Sequence, residues 1–264
     1  MTSMRFIILH KTNAHWESGA IPSPELIARV GTLLGELAKA GVLLGAEGLR
    51  ASSEGVRLRF SAGTRTVING PFEGDNELAA GFSILRTRSL EDAIEWATRQ
   101  ADILGDVEID IRPVTEPWDI GMGATPADVS TRRYMVLRKA TPSTEIGGAP
   151  SSAQRSEFAR LIGETTRSGV HLVTETMRPS RRGRRYMNSR EGVSVYDGPF
   201  IETKELIAGY VVVSAASLED AGRWAMQYVH AVEADEVDLR ELEPLFEAGQ
   251  WVDPGHEGRD RSGS

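Results

Sequence analysis

Residues 196–210 read YDGPFIETKELIAGY, and residues 68–82 read INGPFEGDNELAAGF. The two stretches share Gly70/Gly198, Pro71/Pro199, Phe72/Phe200, Glu77/Glu205, Leu78/Leu206, Ala80/Ala208 and Gly81/Gly209, at a constant offset of 128 residues. The same offset pairs SLEDAIEWA (89–97) with SLEDAGRWA (217–225). Backwards it pairs GVLLGAEGLR (41–50) with GVHLVTETMR (169–178), and RFIILHK (5–11) with RYMVLRK (133–139). One ungapped register over this distance is an internal duplication, with a period too long for a solenoid. The chain therefore reads as two copies of one domain, residues 1–120 and 132–248. GMGATPADVST (121–131) joins them: it is rich in Gly, Ala, Pro and Thr and has no apolar period, so it reads as a linker. Residues 249–264 are polar and Gly-rich with little to bury, and are expected to be disordered.

Within each copy the elements are legible. RFIILHK is a short strand, apolar on both alternating faces, which implies burial on both sides. PELIARVGTLLGELAKAG places Leu26, Ile27, Val30, Leu33, Leu34 and Leu37 at helical spacing, and Gly41 ends the helix. GVLLGAE is a second strand. VRLRFS and RTVIN form a hairpin about Ala62-Gly63. The quoted motif turn and the strand GFSILRT follow. Ser89 then caps a helix with Glu91 and Asp92 in its first turn. VEIDIRPV alternates as a last strand, with Asp110 and Arg112 (Asp238 and Arg240 in the second copy) on a polar face that is either solvated or lines a cavity. The order is β-α-β-hairpin-β-α-β, the split βαβ, ferredoxin-like arrangement of an α+β protein. It leaves one sheet face bare. Two such repeats in one chain cover those faces by packing sheet to sheet about a pseudo-twofold axis, as a pseudo-dimeric α+β barrel.

Bulk composition narrows the function. The net charge is −8, which disfavours nucleic acid and anionic membrane surfaces, both negative themselves. There is no cysteine, which excludes disulfides, thiolate catalysis and Cys-based zinc sites. The apolar run Phe6–Leu9 is too short for a signal peptide, and no run could span a bilayer, so a cytoplasmic location is the expectation. His10 and His15 lack metal-ligand spacing, and no P-loop, dinucleotide fingerprint or nucleophile elbow is present, so no cofactor and no metal is expected.

DGPF-x-ETKE-x-x-x-GY with SLEDA-x-x-WA after it and GV-x-L-x-x-E before it resembles the YCII-related (DGPF-type) domain family. NGPF, ELAAGF, AGVLLGAEGL and VEIDIRPV of the first copy resemble it too. The resemblance implies dimeric α+β barrels of ferredoxin-like units, and thin guidance on function. Related YCII-type proteins include a dehydrochlorinating enzyme with a His–Asp pair in the barrel cleft, and DGPF proteins are linked to alternative sigma factors. A small-molecule lyase- or isomerase-type site in the cleft of the second copy is one expectation. A non-catalytic ligand-binding or regulatory module linked to transcriptional control is the other. The first copy departs from the motif: Asn69 stands for Asp197, and GDN (74–76) for ETK (202–204).

The candidate residues follow from that difference. Asp197 serves a turn as Asn does, or chemistry. Lys204 and Glu202 share a face of an extended segment and suit an anionic small molecule, acid–base work, or only a solvated ion pair. Glu205, matched by Glu77, suits an anchor for the loop. Strand alternation puts Glu175 on the face of His171, an acid–base pair if it points into a cleft, although Leu43 replaces the histidine in the first copy. The catalytic candidates are thus Asp197, Lys204, Glu175 and His171, and the ligand-binding ones Glu202, Glu205 and Arg240. RPSRRGRRY carries Arg178, Arg181, Arg182, Arg184 and Arg185 at a hairpin, a minority candidate for anion binding. A further homodimer of pseudo-dimers is compatible with all of this.

Overall fold

Phe6, Ile7, Ile8 and Leu9 are all buried, as an apolar run on both strand faces requires. They lie on β1 (Met4–Lys11). Alternation sends Phe6 and Ile8 to a core beneath helices, and Ile7 and Leu9 to a second core between two sheets. The computed structural model describes residues 3–74, 77–105, 107–200, 203 and 206–243. The expectation of a disordered tail at 249–264 lies outside the described residues.

After β1 the first copy continues through α1 (Ala14–Glu17), α2 (Pro24–Lys39), β2 (Leu43–Gly48), β3 (Val56–Ser61), β4 (Thr64–Asn69), β5 (Ala79–Thr87), α3 (Leu90–Leu104) and β6 (Val107–Pro113). The second copy repeats it as β7 (Arg132–Lys139), α4 (Pro142–Glu145), α5 (Ser152–Arg167), β8 (His171–Thr176), β9 (Arg184–Ser189), β10 (Gly192–Asp197), β11 (Ile207–Ala215), α6 (Leu218–Val232) and β12 (Glu236–Glu241). Local signals act where the sequence places them. Ser89 and Ser217 accept the backbone N–H of Asp92 and Asp220 at 3.1 Å, capping α3 and α6. Ala62 and Gly63 turn the first hairpin with positive φ at both positions. Among the described residues no helix is long and apolar enough to cross a membrane.

The strand pairing departs from the expectation that each copy builds its own sheet. One six-stranded antiparallel sheet runs β10-β9-β12-β1-β11-β2, and the other β4-β3-β6-β7-β5-β8. β1 lies between β12 and β11, with Ile8 opposite both Leu239 and Val211. β7 likewise lies between β6 and β5. Each ferredoxin-like unit thus takes its first βαβ half from one copy and the rest from the other. Periodicity identifies strands and their faces but cannot choose between two near-identical partners. Residues 114–131 join β6 to the strand directly beside it, in keeping with the tendency of consecutive strands to pair. β1 is then left to fill the matching place between β12 and β11. Ile7, Leu9 and Tyr210 of one sheet share a hydrophobic cluster with Phe82, Met135 and Leu137 of the other. The Phe82 and Tyr210 rings stand 4.8 Å apart there.

Candidate functional site: a cleft beneath one helix

The Gly-Pro-Phe motif builds a close-packed turn in both copies, with Phe200 buried, Phe72 half-buried and both prolines exposed. A Cβ on Gly198 would collide with the Ser180 carbonyl, and one on Gly70 with that of Ser52. The Phe200 and Phe72 N–H groups donate to the hydroxyls of those serines at 3.0 Å. Each ring lies under a guanidinium, Arg185 at 4.4 Å and Arg57 at 4.7 Å. Arg57 donates to Asp110 (2.6 Å) and Glu77 (2.9 Å), and Lys139 closes the cluster against both carboxylates. In the second copy Arg185 and Lys11 meet on Asp238 at 2.7 and 3.2 Å. The polar face of the last strand is therefore not solvated, and Asp110 and Arg112 border a void of about 10 Å³. The face is paired inside the protein, where loss of one partner would strand a buried charge.

The open space lies elsewhere. On α2, Leu33 and Leu37 are buried, whereas Leu26, Ile27, Val30 and Leu34 are not fully covered. Between these side chains, β2 and β11 lies a cleft of about 460 Å³. Its walls are mostly apolar, and Ile21 and Met122 stand exposed beside it. His10 lines it from the end of β1, and Tyr228 from α6. His10 Nδ1 is 2.8 Å from the Tyr228 hydroxyl, with the rings edge to face at 5.5 Å. Burial lowers the His10 pKa to about 4, so the ring is neutral near pH 7. Gly209 makes room for it: a Cβ there would stand 2.6 Å from His10 Cε1 and 2.7 Å from the Glu47 carbonyl. The cations along the cleft are already paired. Arg133 is held by Glu116 at 2.8 Å and by Glu47, and Arg50 by Glu54 at 2.7 Å.

The offset of 128 residues converts this lining into a different one in the other half. His10 becomes Arg138, Val30 becomes Phe158, Tyr228 becomes Gln100 and Tyr210 becomes Phe82. Arg138 lies 5.7 Å over the Phe158 ring, so these two larger side chains stand where the first half has His10 and Val30, whereas Gln100 and Phe82 are smaller than the tyrosines they replace.

Among the described residues, no hydrogen bond or ion pair joins Asp197, Glu175, His171 and Arg240 to one another. Asp197 ends β10, is exposed, and accepts from Arg184 at 2.9 Å. Glu202, Lys204 and Glu205 lie outside the described residues. Glu175 is buried on β8 and accepts from Arg5 at 2.5 Å, while its Oε2 has no partner among the described residues. Desolvation, only partly offset by Arg5, raises its pKa to about 7. His171 does not share its face. A register shift next to Leu172 sets His171 opposite Leu85, which belongs to the helix-side core, and Glu175 opposite Phe82 of the inter-sheet core. Alternation through the strand predicted one face, and the register shift breaks that alternation. Arg240 is buried and structural, donating to the Arg178 carbonyl and, at 3.4 Å, to Glu145. The hairpin arginines are also paired: Arg178 and Arg182 hold Glu241, and Arg184 holds Asp197 and Glu219. No group of three or more metal-type ligands occurs among the described residues.

The sequence suggests neither His10, which lacks metal-ligand spacing, nor Tyr228 as a ligand-binding residue. A signal existed, because both are positions where the two copies differ in kind.

No protein of established identity matches the chain in a sequence comparison. The family model of the YCII-related domain matches it twice, over residues 4–115 and 133–244. Those spans contain both motif scaffolds and most of the cleft lining, and the chain is a member of the YCII-related domain family that carries the domain in tandem.

Proposed function

We propose that this protein binds one small, neutral, largely apolar molecule in the cleft beneath α2. We also propose that its sheets close face to face as a pseudo-dimeric α+β barrel, a reading supported by the shared inter-sheet core. The observation that carries the ligand reading is an apolar cleft of about 460 Å³ with a neutral histidine in its wall, a size and lining typical of small-molecule sites. The arginines beside it are spent on carboxylates, which supports a neutral ligand over an anionic one. Lyase- or isomerase-type chemistry is the second reading, favoured by a neutral imidazole in an apolar surround, where proton transfer is not drowned by water.

The test copies one half into the other. Val30→Phe introduces the ring that Phe158 supplies in the second copy. Wild-type protein should raise the fluorescence of the neutral probe N-phenyl-naphthylamine saturably, and the variant should not, with an unchanged melt. Equal binding by a folded Val30→Phe protein would place the ligand elsewhere.

A further inference from the structure

The contact between His10 and Tyr228 has a direction, and the direction limits what the cleft can hold. Tyr228 is 3% exposed, so its hydroxyl hydrogen needs an acceptor within the protein. His10 Nδ1 at 2.8 Å is its partner. Were Nδ1 to carry the ring hydrogen, it would donate to the tyrosine oxygen. The tyrosine hydrogen would then have no protein acceptor, because His10 Nδ1 is the hydroxyl's one hydrogen-bond partner among the described residues. With Tyr228 donating, both groups are satisfied, and a neutral imidazole that accepts at Nδ1 carries its hydrogen on Nε2. No hydrogen bond to Nε2 occurs among the described residues, and His10 lines the cleft.

We propose that His10 offers an Nε2–H donor to the ligand, and that the cleft selects neutral, mostly apolar molecules bearing a hydrogen-bond acceptor, such as aryl ketones, esters or quinones. This rests on the cleft reading above and names its ligand class. A carboxylate or phosphate fits poorly, because Arg133 and Arg50 are already neutralised by Glu47, Glu116 and Glu54. A ligand that only donates would face another donor.

Two measurements on the full chain test it. The imidazole nitrogen chemical shifts of His10 in the ligand-free protein should report the Nε2–H tautomer. Acetylnaphthalene and its isostere isopropenylnaphthalene, which lacks the oxygen, should differ about tenfold in affinity, the worth of one neutral hydrogen bond. That preference should vanish in His10→Phe while the hydrocarbon still binds. Equal affinities in the wild type, or an Nδ1–H spectrum, would overturn the donor assignment and leave the cleft reading standing. Binding of neither probe would overturn both.

Discussion

His171 was a catalytic candidate in the sequence, and its structural setting makes a quantitative claim about stability instead. It is 7% exposed, its Nδ1 has no partner among the described residues, and burial lowers its pKa from 6.5 to about 4. The folded state therefore refuses a proton that the unfolded chain accepts. Stability from this group is fully present above the unfolded value and is lost as pH falls from 6.5 towards 4. A shift of this size corresponds to about 3 kcal/mol over the whole window, and about 2 kcal/mol of it is gone at about pH 5. The perturbation is His171→Leu, since Leu43 occupies the matching position of the first copy. Urea unfolding at about pH 7.5 and about pH 5 should show the wild type losing about 2 kcal/mol more than the variant on acidification. Other titrating groups, Glu175 included, are common to both proteins and cancel in that difference. Parallel losses in the two proteins, or an imidazole titration of His171 centred near its ordinary value, would refute the reasoning.

Glu175 runs the other way: its pKa is raised to about 7, so the folded state favours the proton and stability declines as pH rises from the ordinary value to about 7. Glu175→Gln should remove that decline, worth at most about 3 kcal/mol between acid and neutral pH, as read from melts of the two proteins across the range. Gly209→Ala should displace His10, destabilise by about 1–3 kcal/mol through overpacking, and reduce probe binding in a titration. Phe200→Ala should cost about 3–5 kcal/mol, because it removes a buried ring from under Arg185, and a near-neutral denaturation result would deny the motif its scaffold role. Residues 132–243 expressed alone lack the β5 and β6 neighbours of β7, so sedimentation should find a dimer or aggregate rather than a folded monomer.

Glycines at 70, 198, 81 and 209 mark where backbone or a side chain comes too close for a Cβ. Their recurrence at one offset already marked the motif as architecture. Glu77 and its Arg57 partner were half legible: the repeat flagged the glutamate, but only the folded hairpin brings the arginine over Phe72 and against Asp110. Residues 20 and 53 positions apart in the chain form one ion cluster, and no local pattern encodes such a meeting.

By itself the sequence determined the duplication, the element order, the caps, the hairpins and the two-sided burial of β1. Those depend on spacing within a few residues, which a chain carries locally. Only the tertiary structure decided that the copies exchange strands, that a register shift separates His171 from Glu175, and that a cleft opens beneath α2. The repeats are so alike that pairing within a copy and pairing across copies bury the same surfaces, so strand periodicity does not settle it. The cleft depends on the sizes of side chains that meet from several elements at once, with Val30 standing where the other half has Phe158. Such volume differences become visible only when the elements are packed together.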